Sequence, residues 1–258
     1  MRRRTFLGAL SGLGMTSFPL TAAPKGGIIE LRHYSMRNSA DMQMQRTSEF
    51  IEKHALAAGK RAGEGVSGVF ANLVGPNGPF LLLVNSYDSL AAMEAANEKE
   101  GKDAEFIGAL QSFYAKPGLP YQRVDVTLLR AFDSMPKIEP PPLEEGKSRV
   151  FELRTYESNT AATLGRKIKM FEEGEIAIFR RLGMRPVFFG AAIAGANLPQ
   201  LTYMLAYDSL AAREKAWQAF GNDPDWRKMR SQPGLSDPEI VSNIGNILLR
   251  PLPFSPIR

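Results

Sequence analysis

Tyr87-Asp88-Ser89-Leu90-Ala91-Ala92-Met93-Glu94-Ala95-Ala96 returns 120 residues later as Tyr207-Asp208-Ser209-Leu210-Ala211-Ala212-Arg213-Glu214-Lys215-Ala216, with eight of the ten positions identical. Outward from this stretch the pattern holds. Glu30-Leu31-Arg32-His33-Tyr34 returns as Glu152-Leu153-Arg154-Thr155-Tyr156, and Leu128-Leu129-Arg130 as Leu248-Leu249-Arg250. Three collinear matches at almost constant spacing mark a tandem duplication. The copies occupy residues 27–132 and 149–254. Between them lie Pro136 and Pro140-Pro141-Pro142. Proline removes backbone donors and fixes the chain, so residues 133–148 read as an extended linker.

Each copy has the same order of elements. Ile28–Tyr34 alternates in polarity and reads as a strand. Asp41 to about Arg61 is helical, with Phe50, Ile51, Ala55 and Ala58 near one face. Val66–Val74 and Phe80–Tyr87 are strands joined by the turn Gly75-Pro76-Asn77-Gly78. Asp88-Ser89 offers an N-cap to a second helix, because either side chain accepts from free first-turn amides. Tyr121–Phe132 closes the unit. The order β-α-β-β-α-β is that of the ferredoxin-like split unit, an α+β architecture. Helices cover one face of such a sheet, so the other face needs a partner. The second copy supplies it. The expected fold is two ferredoxin-like units packed sheet to sheet within one chain.

The chain has 258 residues, of which 44% are hydrophobic and 23% charged, enough apolar material for a packed core. With no cysteine, a disulfide scaffold, a thiolate metal site and a cysteine nucleophile are excluded, and two histidines rule out a three-histidine metal site. No metal site and no resident cofactor are expected, and any haem would be non-covalent. The net charge of +5 owes three units to Arg2, Arg3 and Arg4, so the case for a nucleic-acid partner falls away. Those arginines open a segment with the basic, apolar and small-residue order of a secretory signal. Arg3-Arg4-Thr5-Phe6-Leu7 has the form of a twin-arginine export motif. The expectation is a signal peptide over residues 1–23, a mature chain starting near Pro24, a periplasmic or exported location, and membrane contact only during export.

Glu-Leu-Arg-x-Tyr at the start of each copy resembles the NIPSNAP family. So do the run from Tyr207 to Trp217, Asp223-Pro224-Asp225-Trp226, and Leu248-Leu249-Arg250-Pro251-Leu252-Pro253-Phe254. The second copy is the more similar one. The first has Met93 where the second has Arg213, and lacks both tryptophans. The resemblance implies tandem domains of the dimeric α+β barrel group. It implies no catalytic residue set.

Side chains alternate along a strand, so Glu30, Arg32 and Tyr34 share one face, as do Glu152, Arg154 and Tyr156. The apolar faces are expected under the helices and these polar faces towards the other sheet. Six such residues make either an ion-pair lattice or a pocket in which arginine and tyrosine hold a ligand. His54 lies four residues after Phe50, and counting from Phe171 pairs it with Glu175. Tyr87 and Tyr207 end the third strand of each copy and are candidate partners. The candidate ligand-binding set is therefore His54, Glu175, Arg32, Tyr34, Arg154, Tyr156, Tyr87 and Tyr207, with no catalytic residue singled out. Asp223-Pro224-Asp225 reads as a helix start and not a metal run. The expected function is small-molecule binding or cofactor-independent chemistry in a barrel or under-helix pocket. The alternative is a non-catalytic assembly or partner-binding module, which a homo-oligomer would suit.

Overall fold

The computed structural model describes residues 26–144 and 149–258. The expected signal segment and residues 145–148 of the linker lie outside that range. In the first repeat the order is β1 (Ile28–Ser35), α1 (Gln43–Phe50), α2 (Leu56–Ala62), β2 (Gly68–Val74), β3 (Phe80–Tyr87), α3 (Leu90–Glu100), α4 (Ala104–Ala115) and β4 (Arg123–Ala131). The second repeat has β5 (Val150–Glu157), α5 (Ala161–Met170), α6 (Ile176–Arg181), β6 (Arg185–Ala194), β7 (Gln200–Tyr207), α7 (Leu210–Asn222), α8 (Pro224–Arg230), α9 (Asp237–Ile240) and β8 (Asn243–Pro251). One π-helical turn, Ile51–Ala55, joins α1 to α2, and another, Phe171–Glu175, joins α5 to α6. Ser89 and Ser209 cap α3 and α7, accepting from the amides of Ala92 and Ala212. Asp223 caps α8 with Pro224 following, the helix start read from the sequence.

All strand pairs are antiparallel, in the closed order β1-β3-β2-β8-β5-β7-β6-β4. Each repeat contributes four adjacent strands. The edges β2 and β4 pair with β8 and β6 of the other repeat. Closure satisfies backbone groups that two separate sheets would leave exposed at their edges. The two sheets thus face each other inside one chain, as expected for an intrachain α+β barrel.

Which face points inward is the reverse of the expectation. The barrel interior is apolar: Ile29 and Leu31 from β1 meet Phe151 and Leu153 from β5, with Phe70, Phe188, Met204 and Leu249. The Phe70 and Phe151 rings, one from each repeat, lie 5.0 Å apart. Glu30, Arg32 and Tyr34, with Glu152, Arg154 and Tyr156, face the helices instead. A closed interior has no water and no helix to supply counter-charges, so six polar side chains there would remain undercompensated. Under the helices, Arg213 and Trp217 of α7 reach Glu152, and Glu30 meets Arg32, Asn85 and Tyr87. His33 shares the inward face, its ring 4.2 Å from Phe80. The described part of the linker packs along the barrel: Met135 is fully buried, and the Glu139 amide donates to the Val187 carbonyl at 2.8 Å.

Candidate functional site

The helical parts of the two repeats superpose in sequence at a spacing of 120 residues. The two π turns, the left-handed glycines Gly63 and Gly183 after α2 and α6, the caps Ser89 and Ser209, and the caps Asp103 and Asp223 all fit that spacing. Ala55 is then the counterpart of Glu175, and Thr47 that of Lys167. The pairing of His54 with Glu175 is corrected by one residue, because the π turns set the register.

In the second repeat the space between helices and sheet is filled. Lys167 donates to Glu175 at 3.0 Å, both side chains almost fully buried. The ammonium sits 4.7 Å from the centre of the Phe171 ring and 5.2 Å from that of Trp226. The Glu175 charge outweighs desolvation and holds the Lys167 amine above its usual range. Tyr203 packs among Phe171, Phe179 and Phe189, and donates to the Tyr156 hydroxyl at 3.0 Å. Burial pushes the Glu152 carboxyl up. Hydrogen bonds from Arg213 (2.6 and 2.9 Å) and the Trp217 indole (2.7 Å), with the charge of Arg154, outweigh this and hold it below the carboxylate range. Tyr207 is buried beside Glu152, and burial followed by that charge raises its phenol. Glu175, Arg154, Tyr156 and Tyr207 thus belong to a packed polar core.

The first repeat keeps the Glu-Leu-Arg-x-Tyr residues and the strand-end tyrosine but differs at several of the other places. Lys167, Phe171, Glu175, Tyr203 and Trp226 are replaced by Thr47, Ile51, Ala55, Leu83 and Phe106, all smaller. A cavity of about 340 Å³ results, lined by all five. Phe50, Leu110, Phe113, Tyr114 and Tyr121 complete its apolar wall. Phe50 and Phe113 stack at 4.4 Å, and the Tyr114 and Tyr121 hydroxyls are 2.6 Å apart. At the polar end are Arg32, Tyr34, Glu64, Asn85 and Glu100. Arg32 forms an ion pair with Glu30, its Nε 2.9 Å from the carboxylate, and keeps 33% of its side chain accessible. Tyr87 donates to Glu64 at 2.7 Å, and Asn85 contacts both Glu30 and Glu64 at 3.4 Å. Burial, and then the charge of Glu64, pushes Glu100 up to about 7. Burial likewise raises Glu64, against the lowering effect of the Tyr87 hydrogen bond.

Of the candidates read from sequence, Arg32 and Tyr34 line this cavity, and Tyr87 braces it through Glu64. His54 does not. It lies on an outer groove between α1 and α4, with Glu49, Lys53, Glu105 and Lys116. Its place beneath helix one is therefore corrected: the π turn rotates Ile51 and Ala55 inward and His54 outward. Glu64, Glu100 and the α4 aromatics were missed. A signal for them existed. Asp103 is an N-cap followed by Phe106, Leu110, Phe113 and Tyr114 at helical spacing, and Glu64 and Glu100 stand where the second repeat has Met184 and Phe220. Among the described residues no cluster of acids and histidines could hold a metal, and no helix is long and apolar enough to cross a membrane.

The family model for NIPSNAP matches residues 151–256. That match spans the second repeat. Over the whole chain, a proposed monooxygenase from Lactobacillus acidophilus NCFM superposes with a TM-score of 0.58 at 12% identity, covering 87% of this chain and 94% of its own. A proposed monooxygenase from Fusobacterium nucleatum also gives 0.58, at 8% identity, with 90% and 94% covered. At these identities the likeness is one of fold. A NIPSNAP family protein from Agrobacterium tumefaciens strain C58 is 25% identical over 46% of this chain and all of its own, with a TM-score of 0.40. No curated protein matches. The NIPSNAP match falls on the repeat whose under-helix space is filled, and the cavity lies in the other.

Proposed function

We propose that the chain is a small-molecule-binding protein whose ligand occupies the first-repeat cavity, while the second repeat completes the barrel and keeps its own pocket closed. The observation that carries this reading is the repeat comparison. Five positions that fill one half carry smaller residues in the other, and the space they leave is bounded by apolar walls with a small polar end. That combination is characteristic of ligand sites. A void with no occupant would forfeit contacts and destabilise the fold.

The test is titration with the neutral fluorophore N-phenyl-1-naphthylamine. One probe should bind per chain. The double variant Thr47→Lys, Ala55→Glu, which transplants the ion pair of the second repeat, should remain folded and lose the probe by at least tenfold. Undiminished binding by the folded variant would remove the cavity as the site. The Arg3-Arg4-Thr5-Phe6-Leu7 motif supports a further reading, export by the twin-arginine route. Arg3→Lys with Arg4→Lys keeps the charge and should strand the protein in the cytoplasm; unchanged export would refute that reading.

A further inference from the structure

The polar end of the cavity has an excess of acid that the second repeat lacks. Three corresponding positions change in the same sense: Arg213 becomes Met93, Met184 becomes Glu64, and Phe220 becomes Glu100. In the second repeat, Glu152 is met by Arg154, Arg213 and Trp217. In the first, Glu30 keeps only the arginine equivalent, Arg32, together with Asn85 and Tyr87. Among the residues lining the cavity the charged ones are Arg32, Glu64 and Glu100, and Arg32 pairs through Nε with Glu30. Nearby charges are engaged elsewhere: Asp103 with Arg61 at 2.7 Å, and Lys99 with the Ala62 carbonyl. An anionic ligand would meet two carboxyls and one arginine that already faces Glu30. A cation would find two acids that share with Glu30 the single positive charge of Arg32, with the rings of Phe50, Phe106 and Phe113 beyond them.

Resting on the reading of this cavity as a ligand site, we propose that it takes an amphiphilic amine, the ammonium head between Glu64 and Glu100 and the apolar body against the aromatic wall. A buried carboxylate is favoured by a paired cation and disfavoured alone. Binding should therefore favour the ionised form of both acids and, at Glu100, release a proton near neutral pH. The aromatic faces add attraction for the cation itself. Acidification has the opposite effect. As pH falls below about 7, Glu100 takes up a proton and the head loses a counter-charge. Arg32 and Tyr87, which also face this end, keep their protons through that range, both being held above their usual values.

The test compares three ligands sharing one body, 2-naphthylmethylamine, 2-naphthylmethanol and 2-naphthoate, by isothermal titration calorimetry of the full chain in two buffers of different ionisation enthalpy. At pH 8 the amine should bind at least tenfold more tightly than the alcohol, about the weight of one charge-assisted hydrogen bond, and the carboxylate weakest. At pH 5.5 the preference should shrink. Near pH 7 amine binding should release protons, seen as a buffer-dependent enthalpy. Glu100→Gln should weaken the amine tenfold and leave the alcohol unchanged, and Glu64→Gln serves as a second, independent variant. If N-phenyl-1-naphthylamine binds but the alcohol or carboxylate equals the amine, the amine proposal is overturned and the cavity reading stands. If neither the fluorophore nor any of the three ligands binds, both fall together.

Discussion

At position 100 a carboxyl group stands where the second repeat carries Phe220. Glu100 titrates near 7 because it is half-buried and close to Glu64. Its folded pKa lies above the unfolded value. Between about pH 4.5 and 7 the folded chain therefore holds a proton that the unfolded chain releases, and stability falls as pH rises through that window. Glu100→Gln removes this penalty. After discounting for the group's contact with solvent, the variant should be more stable than the parent by about 1–2 kcal/mol at pH 8 and equal to it at pH 4. Denaturant unfolding at the two pH values measures the difference; a variant equally or less stable at pH 8 would show that Glu100 sits comfortably ionised. The same residue marks what a reading of the sequence could reach. Arg32 and Tyr34 stood out because Glu-Leu-Arg-x-Tyr repeats. Glu64 and Glu100 were passed over because they break the repeat, and divergence between copies is where a site leaves its trace.

The first-repeat helix, residues 43–62, and its counterpart, residues 161–181, each contain one π turn. An extra residue in a turn changes which side chains face the sheet downstream of it. The two turns lie at equivalent places, 120 residues apart, so Phe171 corresponds to Ile51 and not to Phe50; counting four residues from Phe50 and from Phe171 pairs His54 with Glu175 one residue out of register. The strands, the main helices and the Ser89 and Ser209 caps were legible from periodicity and cap chemistry. The α4 helix was overlooked although Asp103 and the Phe106–Tyr114 pattern announce it, and it supplies much of the cavity wall. The element-level test of the filled repeat is Lys167. Lys167→Met leaves the fully buried Glu175 without its cation and should destabilise the chain by about 3–5 kcal/mol. The pair replacement Lys167→Met, Glu175→Leu should restore most of that loss. A single variant costing under about 1 kcal/mol would mean the ion pair is not what closes the second pocket.

Over the whole molecule, duplication solves the covering problem that one ferredoxin-like unit cannot. Each sheet buries its apolar face against the other and the edges join, so both faces of β1, β3, β5 and β7 are largely covered. Strand alternation alone did not reveal which face points inward. Both faces are largely covered, and the deciding factor lies on other elements, where α7 brings Arg213 and Trp217 to Glu152. Duplication also frees one copy to change. The second repeat keeps the packed interior and the NIPSNAP match, and the first has traded bulk for a cavity and cation for acid. The most direct test of that division of labour is a crystal structure of the protein grown with N-phenyl-1-naphthylamine. The probe should lie between α1, α4 and the outer face of β1 and β3, against Phe50, Phe113 and Leu83, with the corresponding space around Tyr203 and Lys167 closed. Density for the probe inside the barrel, or beneath α5 and α8 of the second repeat, would contradict the account.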